Sequence, residues 1–479
     1  MRIVKFGGTS ISTVNRIKNV RKIIRNSAEK SQIIVVISAL GGVTNQLIAS
    51  IEQALRGDLE WQKTVGTLIK RHYDVLKETI NFDFQEEAKI RLDYQFNLIE
   101  SFLKEVSQSK NCSPALSDKI ISIGEYLSVS LMVAGLQTIG LKAIPINATE
   151  LIQTDDNYGE ARVDFPVSNK KIKNKFKDWG EGLIPVVTGF IGSTCEGNIT
   201  TLGRNGSDYT ATILGAALNA EQVEIWSDTD GILTADPAIL TDAVSLPQIT
   251  FGEAEALAQV GAGILHPRTI EPLYRSGVPA VIKNTFQPEF TGTYVKPDSK
   301  DTTQTAKIVT SLPNTSMLSI EVKDPETLPK VSESLLNIFA QSEILPLLVS
   351  NCSHSHSLNI VIRNQQMSKA LDLLYYEFKL ELDTGSIKKV KVEKDTSVVS
   401  IIGQNIHENP TRPKKLIDLL KKQKMKIFAS SNGYFQHISS VAIETPRTLK
   451  ALSVLHKDII LPESEKELNL LVKDGTIKQ

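Results

Sequence analysis

Residues 201–213 read TLGRNGSDYTATI: an arginine between two glycines, then Asn-Gly, then Ser-Asp opening an apolar run. Asn205-Gly206 tolerates positive φ and makes a tight turn. Ser207 and Asp208 suit the N-cap region of a helix over DYTATILGAALNA (208–220). Turn and cap account for Asn, Gly, Ser and Asp. They do not account for Arg204, or for the TTLG (200–203) in front of it. A guanidinium held at a helix start can take a carboxylate in two parallel hydrogen bonds. Two readings stand at this point, an ordinary capped turn and an anion-binding site.

Outward from this stretch, the first half alternates short β-branched runs with helical ones. Strands are predicted at IVKF (3–6), IIVVIS (33–38), KAIPI (142–146), LIPVVTGFI (183–191), VEIW (223–226) and PAVIKN (279–284). Helices are predicted at VNRIKNVRKIIRN (14–26) and TNQLIASIEQAL (44–55), with a long helical region over 60–110. Strands separated by helices predict an α/β fold with a mainly parallel sheet covered on both faces. Ligands of such sheets bind at the carboxyl ends of the strands. The polar stretch PDSKDTTQTAK (297–307) reads as a linker. Beyond it SMLSI (316–320) resembles SVVSI (397–401), an offset of 397 − 316 = 81 residues. Each copy is followed by a helix (LPKVSESLLNIFAQ; TRPKKLIDLLKKQ) and two strands (ILPLLVS, HSLNIVI; MKIFASS, ISSVAIE). Two small α+β modules for binding or regulation are expected. The boundaries are a catalytic domain over 1–300, a linker over 301–310, and modules over 311–390 and 391–479.

At 479 residues the chain needs more than one core. Lys plus Arg equals Asp plus Glu, 54 against 54, so no basic excess points to nucleic acid. Cys112, Cys195 and Cys352 lie far apart, which excludes a disulfide framework and a CxxC pair and fits a reducing cytoplasm. MRIVKFGG enters a strand at once, so no signal peptide is expected. The longest apolar run, IIVVISAL (33–40), is too short to span a bilayer, so no membrane partner is expected.

Four further stretches could carry chemistry. VKFGGTS (4–10) puts Gly7 and Gly8 after a strand and Lys5 just before, a backbone cradle with a point charge for phosphate. SALGGVTNQL (38–47) is a second glycine turn, with Thr44 as a cap for the next helix. In ISIGEYLS (121–128) Glu125 stands in an apolar pattern, either at the surface or as an anchor for a ligand ammonium. VEIWSDTDGILTADP (223–237) ends a strand in acidic residues that could hold Mg²⁺ through water or meet a nucleoside; a hairpin with an Asp-Gly turn explains the same piece. Taken together the set describes one ligand pair, a polyphosphate and an amino acid.

KFGGTS, GGVTN, GEYLS, VTGFIG, TTLGRNGSDYTATI, IWSDTDGILTADP and GILHPRTIEP occur in the order found in aspartate kinases. The match covers residues 1–300 and resembles most the kinase half of bifunctional aspartokinase–homoserine dehydrogenases, while the remainder resembles tandem ACT domains. The resemblance implies a three-layer amino-acid-kinase fold followed by two ferredoxin-like ACT modules. It implies transfer of the ATP γ-phosphoryl group to the β-carboxylate of L-aspartate, with Mg²⁺, as a first step toward lysine, threonine, methionine and isoleucine. By the same resemblance Lys5, Gly7 and Gly8 contact ATP phosphates, and Asp208 orders the phosphate site beside Lys5. Ser227, Asp228, Leu233 and Asp236 line the nucleotide pocket. Thr44, Glu125, Arg204 and Ser207 hold aspartate, Glu125 by its ammonium and Arg204 by its α-carboxylate. A homodimer or higher oligomer and an amino-acid effector, lysine or threonine, are also implied. The sequence departs from the family at Ala238, at Gly263, at Phe286 where lysine-sensitive relatives carry a nucleotide-binding lysine, and in the tail loop SNGYFQHISSVAI (431–443). No dehydrogenase half is expected, and GAG (261–263) lacks the strand that a dinucleotide fingerprint needs.

Aspartate's β-carboxylate, with a reference pKa of about 3.9, is ionised at neutral pH. No general base is needed, so none of the seven histidines has to sit in the site. His72 is expected at a helix surface or domain contact, His266 bracing the turn before Pro267, and His354 and His356 at an exposed strand end beside Cys352 with no metal. Lys5→Ala is expected to remove turnover and leave the fold intact. A kinase for another acidic amino acid, or a non-catalytic amino-acid sensor, remains the alternative.

Overall fold

The structure is a computed structural model describing residues 1–180, 182–261, 265–297, 306–352, 356–404, 406, 411–432 and 437–462. Expectations on Gly263, His354, the Cys352 side chain, residues 301–305, the loop 433–436 and the stretch 463–479 lie outside the described residues. The chain forms two units, Met1–Ile232 with Pro247–Phe251 and Leu265–Pro297, and Leu233–Leu246 with Gly252–Ile264 and Asp298–Gln479.

The first unit is an α/β domain. In order it runs β1 (Arg2–Phe6), α1 (Val14–Lys30), β2 (Ile33–Ile37), α2 (Val43–Arg56), α3 (Glu60–Thr79), α4 (Phe82–Ser109), α5 (Pro114–Thr138), β3 (Lys142–Ile146) and α6 (Phe165–Phe176). It continues through β4 (Leu183–Thr188), β5 (Ile191–Ser193), β6 (Ile199–Thr201), α7 (Gly206–Leu218), β7 (Gln222–Ser227) and β8 (Gln248–Thr250). Helix α8 (Phe251–Gln259) begins at the unit boundary; α9 (Pro267–Ser276), β9 (Ala280–Asn284) and β10 (Thr293–Lys296) complete the unit. Eight strands form one sheet in the order β3-β4-β2-β1-β7-β9-β10-β8, parallel throughout except where β10 meets β9. The unbroken apolar run of β2 is buried at every residue, as a strand covered on both faces requires. Because β1, β2, β4 and β7 are neighbours and parallel, the loops after all four leave the same edge.

Local chemistry sets the ends. Thr13, Ser113 and Asp164 accept backbone N–H groups at the starts of α1, α5 and α6, and proline opens α5 and α6. The helical region over 60–110 breaks at Ile80 and Asn81, both extended, giving α3 and α4. The run 183–191 divides at Phe190, whose φ of 71° is left-handed. That conformation is unfavourable for a bulky residue. It is held by Phe190 N–H donating to Thr210 Oγ1 at 3.1 Å and by Leu202 N–H donating to Phe190 O at 2.8 Å. Helix α5 is long and apolar enough to cross a membrane, but 83% of its most apolar window is buried, so it serves as a core helix.

The second unit holds β11 (Ala306–Val322), α10 (Thr327–Gln341), β12 (Leu348–Cys352), β13 (Ser357–Arg363), α11 (Asn364–Glu377), α12 (Lys379–Asp383) and β14 (Ile387–Gly403). It ends with α13 (Thr411–Lys422), β15 (Ile427–Asn432), β16 (Ile438–Glu444), α14 (Thr448–Leu455) and a π-helical turn (His456–Ile460). The strands make one antiparallel sheet, β12-β13-β11-β14-β16-β15. The long strands β11 and β14 each serve two modules. Residues 315–321 of β11 pair with β13, while 306–312 pair with 398–403 of β14 beside β16. Each module therefore takes its fourth strand from the other's first, giving two ferredoxin-like βαββαβ units of the ACT type. Thr315 pairs with Thr396 between them, its Oγ1 donating to Thr396 O at 2.8 Å. The repeat offset of 81 residues is the sequence separation of these two threonines, so a local two-fold passes between them. Leu312, Met317, Leu348, Val361, Val398, Ala429 and Ala442 form a cluster drawn from all six strands, and edge strands β12 and β15 approach each other.

This division corrects the expected boundaries. Residues 306–310 are strand, not linker, and Ala306 and Val309 are buried in the second module's core. Residues 233–246 also belong to the second unit. Ala235 and Leu240 join that core, Val309 N–H donates to Thr234 O at 2.9 Å, and Thr234 Oγ1 lies 2.8 Å from Nε2 of the buried His456. Glu253 pairs with the buried Lys307 at 3.3 Å, which ties down α8 as well.

Candidate active site

A cleft of about 580 Å³ lies at the carboxyl edge of the first unit's sheet. It is lined by residues that follow β1 (Gly7, Gly8), β2 (Ser38–Gly42) and β4 (Phe190), and by the starts of α2 and α7. Lys5, Gly7, Gly8, Thr44, Glu125, Arg204, Ser207 and Asp208 all line it. Two helix N-termini with free N–H groups at one cleft favour an anionic ligand.

The glycines are required by close approach. A Cβ on Gly8 would lie 2.8 Å from Ala39 O, and one on Gly41 would lie 2.9 Å from Gly8 O, so the two turns touch backbone to backbone. Lys5 projects from β1 and is buried; its Nζ meets Asp208 Oδ1 at 2.5 Å. Asn205 Nδ2 donates to Asp208 Oδ2 at 3.3 Å. Asn205, with φ 56°, is the N-cap of α7, so Ser207 and Asp208 occupy its first turn and neither is the cap. Thr44 likewise is not a cap, because Gly42 in the left-handed region starts α2.

Glu125 is 2% exposed, in the middle of α5. Its Oε1 accepts Ala39 N–H at 3.1 Å, while Oε2 is buried with no partner among the described residues. Burial pushes its carboxyl up to about 8, against the opposing effect of the Ala39 N–H and its own backbone. A buried acid with one free oxygen facing a cleft is suited to a cationic ligand group. Arg204 is exposed and pairs with no carboxylate among the described residues. An anchor for a cation and a fork for a carboxylate thus share the cleft with a lysine and two glycine turns.

The sequence profile of the amino acid kinase family matches residues 1–284, more than half of the chain. The chain belongs to the amino acid kinase family. Among its relatives, the chloroplastic aspartokinase 1 of Arabidopsis thaliana is 30% identical over 473 residues, 95% of this chain and 79% of that protein. The bifunctional aspartokinase/homoserine dehydrogenase of Buchnera aphidicola is 32% identical over 463 residues, covering 96% of this chain and 56% of that protein. The chain therefore spans little more than half the length of that relative. Aspartokinase III of E. coli, solved with aspartate and ADP, superposes with a TM-score of 0.79 at 25% identity, covering 95% of this chain and 99% of that one.

In this amino acid kinase, Ser227 ends β7 and Asp228 follows it at the same sheet edge, but neither lines the cleft. Ser227 Oγ accepts Thr229 N–H at 3.2 Å. Leu233 and Asp236 fall in the second unit, where exposed Asp236 accepts Ala238 N–H at 2.9 Å. Phe286 packs against Arg16, whose guanidinium lies 4.5 Å from the ring centre, so an arginine stands beside the position where lysine was missed.

Asp118, absent from the sequence reading, is buried at the cleft and accepts Gly159 N–H at 2.9 Å, Thr201 N–H at 2.7 Å and Thr201 Oγ1 at 3.0 Å. Burial raises its pKa against these bonds. It stands seven residues before Glu125 on α5, two turns down the same face, which is the signal that could have found it. His72, expected at a helix surface or a domain contact, is fully buried; burial lowers it to about 4 and it packs edge-on to Phe96. His266 caps α9 by accepting Arg268 N–H. Among the described residues no group of three or more His, Cys, Asp or Glu could hold a metal.

Proposed function

We propose that this chain is an aspartate kinase that moves the ATP γ-phosphoryl group onto the β-carboxylate of L-aspartate, giving 4-phospho-L-aspartate. One observation carries the reading: Lys5, Glu125 and Arg204, from β1, α5 and the turn before α7, converge on one cleft. Glu125 takes the ammonium through its free Oε2, and Arg204 takes the α-carboxylate. Thr44 and Ser207, at the two helix starts, complete the amino-acid contacts. The β-carboxylate is then left to attack. It is already an anion, so the barrier is the approach of one anion to another, and catalysis is positioning plus charge neutralisation. Lys5 supplies a fixed cation oriented by Asp208, and the glycine turns supply backbone N–H groups. Ser227 and Asp228 are proposed to take the nucleoside.

The donor set fits a Mg²⁺ carried on the phosphates rather than held by the protein, since Asp208 is already paired with Lys5. When bound the ion would neutralise phosphate charge. The paired modules are proposed to bind lysine or threonine as effector and to place the chain in a homodimer or larger assembly. The E. coli aspartokinase III solved with lysine and aspartate, TM-score 0.74 at 25% identity, supports the effector part of that reading.

The test is ATP turnover against aspartate, glutamate and other acidic amino acids, with hydroxylamine trapping of the acyl phosphate, with and without lysine and threonine. Hydroxamate formed from aspartate in preference to glutamate is expected. Turnover only with another amino acid, or with none, would overturn the proposal.

A further inference from the structure

We infer that Arg71, which no motif contains, is a positioning residue that locks the two glycine turns of the phosphate wall together; the inference rests on the nucleotide reading above. Arg71 lies on α3, outside the cleft. One fork of its guanidinium donates to Gly41 O and the other to Ser12 O, each at 2.8 Å. The first acceptor belongs to the turn after β2 and the second to the loop after β1. A planar fork fixes the spacing of two acceptors in a way that a lysine cannot.

The bridge acts where tolerance is small, because the backbones of Gly8 and Gly41 are already in contact. Holding Gly41 O also fixes the Gly41–Gly42 peptide plane, so the Gly42 N–H faces away from Arg71. Gly41 and Gly42 both line the cleft. Arg16 supports the same loop, its Nη1 donating to Thr9 O at 2.9 Å and to Ser12 Oγ at 2.8 Å. Among the described residues Arg71 has no carboxylate partner, and its half-burial lowers its pKa from the ordinary value through desolvation. Its charge therefore stands uncompensated behind a wall that meets a polyanion. Arg21 offers the contrast. It is a buried guanidinium bonded to Thr79 O and Gly135 O, and none of these three residues lines the cleft.

The experiment titrates ADP into the full chain by calorimetry for wild type, Arg71→Met, Arg71→Lys and the control Arg21→Met, with thermal unfolding alongside. Arg71→Met is expected to weaken ADP about tenfold, the scale of a small misplacement of binding groups. Arg71→Lys keeps the charge but reaches one carbonyl, so a loss of roughly threefold is expected. Arg21→Met should lower thermal stability and leave ADP affinity unchanged. Wild-type ADP affinity in Arg71→Met, or in Arg71→Lys, would overturn the inference. Should Arg71→Met fail to fold, Arg71→Lys decides alone. A wild type that binds ADP yet never phosphorylates aspartate would sink the proposed function and leave the role of Arg71 standing.

Discussion

Glu125→Gln tests the ammonium contact through protons as well as affinity. Burial pushes the Glu125 carboxyl from 4.5 to about 8, so in the free protein at pH 7 it holds its proton. An ammonium against the unpartnered Oε2 favours the ionised form, so binding must expel that proton. The binding form is the deprotonated one. Aspartate affinity should therefore rise with pH, by up to about tenfold per pH unit, and level off above about pH 8. Calorimetry of aspartate binding in buffers of different ionisation enthalpy should find about one proton released per aspartate near pH 6.5, falling away by pH 9. In Glu125→Gln the proton release and the pH slope both vanish, and affinity at pH 8 falls by roughly 1.5–3 kcal/mol, the worth of a hydrogen bond to a charged group. Stability moves with the same proton. Between pH 4.5 and about 8 the folded state keeps a proton that the unfolded chain has lost, so stability falls as pH rises through that window. Moving from 4.5 to about 8 at about 1.36 kcal/mol per pH unit gives a loss on the order of 4–5 kcal/mol, complete above pH 8. Glu125→Gln lacks that loss and should resist urea better than wild type at pH 9. A flat affinity profile in wild type, or unchanged affinity in the glutamine variant, would refute the reasoning.

Three further outcomes are expected. Lys5→Ala should lower kcat by at least about a hundredfold, and it should also cost roughly 3–5 kcal/mol in urea denaturation, because it strands the buried Asp208. This revises the expectation of an intact fold; adding Asp208→Asn should restore stability without activity, and a Lys5→Ala protein of wild-type stability would contradict it. Arg204→Lys should raise the aspartate KM about tenfold or more with ATP KM and thermal stability unchanged, since the side chain is exposed and has no carboxylate partner among the described residues; steady-state kinetics decides. Gly8→Ala should weaken nucleotide binding and destabilise by about 1–3 kcal/mol, because its Cβ would meet Ala39 O at 2.8 Å; nucleotide titration at wild-type affinity would count against the close packing of the turns.

Much of the parallel sheet was legible because buried strands such as β2 write their environment as uninterrupted β-branched runs. The cleft was legible where a residue type was locally unexplained: Arg204 in a tight turn, Glu125 in an apolar helix. Asp118 and Arg71 escaped because their partners lie 41 to 83 and 30 to 59 residues away, and no local pattern encodes a bond to a distant carbonyl or amide. The domain edges were misjudged for the same reason. Polar composition suggested a linker up to residue 310, yet strand pairing with residues 398–403 gives Ala306 and Val309 a buried place. The fate of residues 233–246 turned on the distant His456.

The crossed strands have a consequence for how the chain can be made. Residues 306–312 find their sheet neighbours only at 398–403, so during synthesis they must wait while the whole of the first module emerges between them. That first module, in turn, lacks its last strand until 387–393 has left the ribosome. Neither can be cloned away from the other without an exposed, hydrogen-bond-hungry edge, and a break introduced at 311 or at 391 should yield aggregation in place of two independent halves.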